Sequence, residues 1–318
     1  ASAKYWATAV NASAQGDVTV HNSGSLYADG DKYAFGVYAL SNAGDVMVHN
    51  EEGGDIGFYS YYGRGWGVFA YAGQGDAHVT NDGAISGYAY GQSAGVFAIA
   101  GYGDVMLDNT GSIDVVSATN VAVGLFARAD YGTASVANSG DITATAGTDY
   151  YLGYAAYGML ARGEYAEAFN SGDIVATADA YATGIAAASY YGTTVVTTGG
   201  DIDVSADGAL VLRSYQGYYG GTYYYYALVG AAIGIDASAG YGDVTVSNAS
   251  DITAQSLYVS ATGINATALY DVAVTNSGDI SASSLYSYAT GINASASAIY
   301  LGKYYGSLVF NGTPTVSN

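Results

Sequence analysis

The stretch GDVTVSNASDITA, from Gly242 to Ala254, has a counterpart near the start of the chain in GDVTVHNSGSLYA, from Gly16 to Ala28. Similar stretches occur throughout the sequence, each with an asparagine at one fixed place, and most follow one another after 28 to 32 residues. A fixed period of this length indicates a repeat architecture. The asparagines are Asn22, Asn50, Asn81, Asn109, Asn138, Asn170, Asn248 and Asn276, with Thr198 in their place once.

Each repeat predicts three short strands. Val18, Val20 and Asn22 alternate with polar residues, as one face of a strand does. An aliphatic residue such as Ile252 follows the asparagine by four positions, and later comes a glycine–aliphatic–x–alanine unit such as Gly95 to Ala98. We therefore predict an all-β fold, a right-handed parallel β-helix of about ten coils of roughly 28–31 residues. Residues 1–318 would form one solenoid domain, a segment of a longer chain.

Composition excludes several classes of protein. The 318 residues carry 7 Lys plus Arg against 27 Asp plus Glu, a formal net charge of −20, which argues against nucleic-acid partners and anionic membranes. The chain has no cysteine, so it has neither disulfides nor thiolate metal sites. Half of the residues are hydrophobic and only 11% are charged, which is not the balance of a disordered chain.

One outward position of the third strand is apolar in the first five coils and polar later. A contiguous apolar stripe usually marks a partner site, although a loop folded over it is an equal alternative. From Ala186 onward this position carries small or polar residues, including Asp236, Asn265 and Asn293. The candidate partner-binding residues of the stripe are Tyr38, Phe69, Phe97, Phe126 and Leu160.

A tyrosine- and glycine-rich insertion at about residues 206–230 lengthens one repeat spacing to 50 residues. Insertions in solenoids map to loops on one face, often the binding face, and tyrosine offers rigid amphipathic contact area. A flexible low-complexity loop or an extra irregular coil are the alternatives. The candidate binding residues here are Tyr218, Tyr219, Tyr223, Tyr224, Tyr225 and Tyr226.

Aspartates recur at two outward corners. One set precedes the first strand, as Asp17 and Asp45 do, and the other precedes the second-strand isoleucine. Stacked carboxylates repel one another, so they must point into solvent, accept hydrogen bonds from turn amides, or bind a divalent cation. We expect no other cofactor. The candidate Ca²⁺ ligands are Asp141, Asp173, Asp201, Asp251 and Asp279.

Catalytic motifs are missing from the sequence. There is no Gly-x-Ser-x-Gly elbow, phosphate-binding loop or His-Glu-x-x-His motif, and no acidic pair stands out from the ladders. His21 and His49 would stack outward on successive coils with His78 nearby, and we interpret the three as a solvated ladder. The sequence therefore favours a protein that is not an enzyme.

The repeat resembles the passenger region of bacterial autotransporters. The resembling units are VTNSGDISA around Asn276, ATGIAA at 182–187 and ATGINA at 261–266 and 289–294. The resemblance implies an extracellular, cell-surface protein that serves adhesion or biofilm building. Its partners would be proteins or polysaccharides of a host or neighbouring cell, or copies of itself. A self-assembling extracellular fibre subunit is the alternative, and a polysaccharide-degrading enzyme comes third.

Overall fold

The computed structural model describes residues 1–147, 155–216, 222–296 and 313–317. Three parallel sheets of ten strands each run the length of the described chain, and the chain visits them in turn. This arrangement is the β-solenoid of about ten coils expected from the repeat. The described residues contain no helix long and apolar enough to span a membrane.

The first sheet carries the asparagines. Neighbouring strands pair in parallel and in register, so that Asn50 lies beside Asn22 and Asn81 beside Asn50. Its strands are β3 (Val18–Asn22), β6 (Val46–Asn50), β9 (Ala77–Asn81), β12 (Val105–Asn109), β15 (Thr133–Asn138), β18 (Tyr165–Asn170), β21 (Thr194–Thr198), β26 (Val244–Asn248), β29 (Val272–Asn276) and β32 (Pro314–Ser317).

The second sheet aligns the aliphatic residues that follow the asparagines. Ile56 pairs with Leu26 and Ile85, although its repeat has two extra residues in the corner before it. Its strands are β1 (Ser2–Ala3), β4 (Ser25–Gly30), β7 (Asp55–Ser60), β10 (Ala84–Ala89), β13 (Ile113–Ser117), β16 (Ile142–Ala146), β19 (Ile174–Ala178), β22 (Ile202–Ala206), β27 (Ile252–Ser256) and β30 (Ile280–Ser284).

The third sheet has the longest strands. They are β2 (Trp6–Ala14), β5 (Tyr33–Ser41), β8 (Arg64–Ala72), β11 (Ser93–Ala100), β14 (Val121–Ala129), β17 (Ala155–Gly163), β20 (Tyr181–Ser189), β25 (Ala231–Ala239), β28 (Ser260–Ala268) and β31 (Ala289–Ala296).

A glycine in nine of the ten third-sheet strands turns two consecutive residues toward the core, and Ala9 takes its place in β2. In β11 both Gly95 and Val96 are buried, and the residue pairing with the strands on either side skips the glycine. A Cβ at Gly95 would lie 2.5 Å from Ile113 Cγ2 and 2.7 Å from the Gly124 carbonyl oxygen, so no side chain fits. The residues before and after this pair, Ala94 and Phe97, consequently both face outward.

The core is one column of small and branched side chains. Val, Ile and Leu from the first two sheets pack against the alanines and aliphatic residues of the third, and nearly all are fully buried. Alternating inward positions of narrow parallel strands explain why the core consists mainly of alanine, valine, isoleucine and leucine.

The described residues of the insertion include two strands of their own. Strands β23 (Ala209–Gln216) and β24 (Thr222–Val229) pair antiparallel as a separate two-stranded sheet. Gly208 and Gly230 flank this hairpin with φ of +100° and +147°, in the region that glycine adopts readily. These strands were not predicted from the sequence, because the run Tyr223 to Tyr226 has no alternation of polar and apolar residues.

Candidate functional site

The outward stripe of the third sheet is a continuous stack of aromatic rings. Tyr38 and Phe69 have ring centroids 5.1 Å apart, Phe69 and Phe97 5.8 Å, and Phe97 and Phe126 4.3 Å, with interplanar angles of 6–9°. Parallel strands in register place each ring directly above its counterpart. The stripe expected from the sequence is therefore present, and its aromatic members are half-buried.

A second aromatic column lies beside the first, and it was not predicted from the sequence. Phe35 and Trp66 are stacked with centroids 4.8 Å apart, and Trp6 stacks on Phe35 at 5.2 Å. Phe35 also meets Tyr38 edge to face at 5.2 Å. Phe35 and Trp66 each stand directly before a glycine of the third strand, Gly36 and Gly67. The residue at this position faces outward because the glycine turns the strand, and an aromatic residue there would have predicted the column. Strict alternation would have placed that residue inward.

Both columns form one apolar cluster on the outer side of the third sheet, here called the aromatic face; Phe35 and Trp66 are buried in it, whereas the rings from Tyr38 to Phe126 are partly exposed. It is separate from the core and comprises Phe35, Tyr38, Trp66, Phe69, Ala94, Phe97, Val121, Val123, Phe126, Tyr157, Leu160 and Ala186.

The orientation of the rings limits what the aromatic face can bind. Centroids as close as 4.3 and 5.1 Å with parallel planes require rings stacked face to face, because rings lying side by side in one plane would overlap. Each ring face is thus covered by its neighbour in the next coil. The ring edges, which carry partial positive charge, are what the face offers to a partner.

The aromatic face ends where the sequence predicted a change of character. Leu160 and Ala186 are buried, with 5% and 8% of their surface exposed. Leu160 was predicted as an exposed partner-binding residue, but its burial leaves almost none of its surface for contact with a partner. Beyond them Asn265 Nδ2 donates to Asp236 Oδ1 at 2.8 Å, and Asn293 Nδ2 donates to Asn265 Oδ1 at 2.7 Å. The same column is therefore apolar at one end and a hydrogen-bonded polar ladder at the other.

Two arginines border the aromatic face. Arg128 and Arg162 lie beside each other on β14 and β17, two positions after Phe126 and Leu160, and both are exposed. Arg128 Nε lies 2.6 Å from Asp130 Oδ1. Aromatic residues next to arginine are the composition typical of interface hot spots.

The tyrosine-rich hairpin exposes a second apolar surface. Tyr224 and Tyr226 are 69% and 62% exposed, and Leu228 and its cross-strand neighbour Leu210 lie on the same side of the ribbon and are also exposed. Tyr223 and Tyr225 belong to β24, while Tyr218 and Tyr219 lie outside the described residues.

The aspartate ladders are hydrogen-bonded by the backbone. The Asp173 amide donates to Asp141 Oδ1 at 3.4 Å, and the amides of Asp201, Asp251 and Asp279 each donate to the preceding aspartate at 3.0–3.2 Å. Stacked carboxylates could point into solvent, accept hydrogen bonds from turn amides or bind a cation, and the structure shows the hydrogen bonds from turn amides. The Ca²⁺ site at these residues stays a prediction.

Comparison with known proteins gives one family. Residues 2–202 match the BigA third pectate lyase-like domain, a span that includes the aromatic face and stops before the hairpin. No curated protein and no solved structure matches the chain. Since the match covers well over half of the 318 residues, the chain belongs to the family of the BigA third pectate lyase-like domain.

Proposed function

We propose that this chain is part of a bacterial surface protein whose β-helix displays the aromatic face for adhesive contact with another protein. Membership in the BigA domain family is in keeping with a surface-exposed bacterial protein. The autotransporter-like repeat units support display as an extracellular passenger. The aromatic face is the observation that carries the proposal, because contiguous apolar surface of this kind usually marks a partner site.

The arrangement of the rings favours a protein partner over a polysaccharide. Sugar rings pack on open faces of aromatic rings, and in the Tyr38–Phe126 column those faces are covered by neighbouring rings. Ring edges instead suit aliphatic and aromatic side chains and carbonyl oxygens. Because the chain carries a net charge of −20, the partner surface would be apolar and not strongly acidic.

Burial of this surface supplies the binding free energy. Apolar area removed from water stabilises a complex by roughly 25 cal/mol per Å² before the costs of association. The side chains are already held by their stacked neighbours, so little conformational entropy is lost when a partner docks. Rigid aromatic anchors of this kind are the usual hot spots of protein interfaces.

Substitution of two stacked rings tests the proposal. The double variant Phe97→Asp/Phe126→Asp should abolish adhesion of cells displaying the protein, or binding of the purified chain to cell-surface proteins. The matched control is Thr267→Asp, which adds a charge at a partly exposed position of the same sheet beyond the aromatic face. A second variant, Phe97→Leu, keeps the surface apolar and should retain most binding.

Fold and self-association are followed in parallel by circular dichroism and sedimentation. Unchanged adhesion in the folded double variant would sink the proposal. If the wild type forms oligomers that the double variant does not form, the partner is a second copy of the chain.

We also propose that the protein is not an enzyme, despite the fold description of its family. The aspartate ladders, its most regular carboxylates, accept hydrogen bonds from backbone amides, and Arg128 is paired with Asp130. An evenly spaced ladder lacks the distinct acid and base that glycosidic cleavage needs. Release of unsaturated or reducing oligosaccharides from polygalacturonate by the purified chain would overturn this.

A further inference from the structure

We propose that His21, His49 and Glu51 form a surface site for a transition metal ion such as Zn²⁺, joining the first two complete coils. One ligand atom from each of the three residues can be chosen so that all lie within 4.8 Å of one another. Among the described residues this is the one group of histidine and carboxylate side chains that comes together in this way.

Strand register positions the two histidines. His21 on β3 pairs with His49 on β6, and their ring centroids are 5.8 Å apart with an interplanar angle of 65°. Glu51 follows β6 in the corner, where its amide donates to the Asn22 carbonyl oxygen at 2.8 Å. That bond holds Glu51 beside the preceding coil, and its Oε1 lies 3.9 Å from His21 Nδ1.

A carboxylate hydrogen-bonded to His49 orients its ring for metal binding. His49 Nε2 lies 2.8 Å from Asp82 Oδ2, and Thr110 Oγ1 donates to Asp82 Oδ1 at 2.8 Å. A carboxylate oxygen only accepts, so His49 Nε2 is the donor in this contact and Nδ1 is the ring nitrogen left to ligate the ion. Ligating histidines typically have such a carboxylate partner.

The donor set selects the class of metal. Two imidazole nitrogens and one carboxylate suit Zn²⁺, Cu²⁺ or Ni²⁺, whereas Ca²⁺ prefers oxygen ligands alone. Tetrahedral Zn²⁺ with bonds of about 2.0–2.2 Å places its ligand atoms roughly 3.4 Å apart. Small rotations of the exposed His21 and partly exposed Glu51 side chains close the remaining gap, and a fourth position is left for water or another donor.

Zinc titration of the chain without any histidine tag tests the site. By calorimetry near pH 7.5 the wild type should bind one Zn²⁺ at this site, and His21→Ala and Glu51→Gln should each weaken binding at least tenfold. Asp82→Asn should weaken it about tenfold to a hundredfold by removing the carboxylate behind His49.

The matched control is His78→Ala. His78 lies on the same sheet and contacts Asp108 Oδ2 at 3.1 Å, but it belongs to no such three-ligand group among the described residues. Its substitution should leave zinc affinity unchanged. Zinc should also raise the melting midpoint of the wild type and not of His21→Ala, because the ligands come from consecutive coils. No binding by the wild type, equal affinity in His21→Ala, or an equal loss in His78→Ala would overturn the proposal.

Discussion

The asparagine ladder shows how single side chains stabilise the corner between the first and second sheets. Asn109 Nδ2 donates to the Gly111 carbonyl oxygen at 2.8 Å and to Asn138 Oδ1 at 2.7 Å. Its own Oδ1 accepts from Asn81 Nδ2 at 2.6 Å. The ladder asparagines from Asn22 to Asn248 thus bond both their own turn and their counterpart in the next coil, in buried positions where an unpaired polar group is costly.

Removal of one ladder member should destabilise several coils at once. Asn109→Ala leaves the Asn81 amide, the Asn138 oxygen and the Gly111 carbonyl without this partner, at a cost of about 1–3 kcal/mol for each group left unsatisfied. The measurement is the midpoint of urea unfolding followed by circular dichroism.

Asn109→Thr provides the matched comparison, because the chain itself uses threonine once. Thr198 Oγ1 donates to the Gly200 carbonyl oxygen at 3.1 Å and accepts from Asn170 Nδ2 at 3.2 Å. A threonine at 109 should therefore cost less than alanine. Equal midpoints for wild type and Asn109→Ala would show that the ladder contributes nothing to stability.

At the scale of elements, the hairpin of β23 and β24 is an addition to one coil. It leaves the solenoid after β22 and returns at β25, while β20 pairs directly with β25 and β22 with β27 as if nothing intervened. A two-stranded sheet by itself is only marginally stable in water. We therefore expect the hairpin to need the solenoid in order to stay folded, whereas the coils pair with one another without it.

Deletion of residues 209–229 should leave the solenoid folded. Joining Gly208 to Gly230 makes a turn of Asp207, Gly208 and Gly230, as long as the turn of residues 257–259 in the following coil. The melting midpoint should stay within a few degrees of the wild type. A loss of cooperative melting would mean that the hairpin is an integral part of its coil. Adhesion assays on the same variant show whether Tyr224 and Tyr226 take part in binding.

At the scale of the whole molecule, the dominant feature is acidic self-repulsion along a rod. The net charge is −20, and aspartates stack at two corners of successive coils. Backbone amides from the next coil bind one oxygen of these carboxylates, which offsets part of the repulsion. The remaining long-range repulsion is of the kind that salt screens.

Stability should consequently rise with ionic strength. The melting midpoint should increase between about 10 and 300 mM NaCl, over which the Debye length falls from roughly 30 Å to below 8 Å. The calcium prediction for Asp141, Asp173, Asp201, Asp251 and Asp279 is tested by comparing CaCl₂ with NaCl at equal ionic strength. A further rise with Ca²⁺ that chelator reverses would support a site, and equal midpoints would remove it. A midpoint independent of NaCl would contradict the self-repulsion argument itself.

The sequence by itself determined the solenoid, because period-two strands at a fixed repeat leave a parallel stack of coils as the arrangement that buries Val20, Ile85 and Ala98 together. It also determined the asparagine ladder and the outward column of Tyr38 to Phe126, since in-register stacking repeats each residue's direction. Tertiary structure alone decided that Phe35 and Trp66 form a second column beside it. Their outward direction depends on a turn of the strand at glycine, which sequence alternation does not reveal.

Contacts between coils also determine which partners the stacked polar side chains bind. Whether a stacked aspartate binds a cation or an amide depends on the position of the next coil's backbone, and here that amide lies within hydrogen-bonding distance. His21 and His49 were expected to stack, but Glu51 and Asp82 come from corners whose geometry no local pattern specifies. The sequence determines which residues share a column, and the three-dimensional path of the corners determines which columns meet.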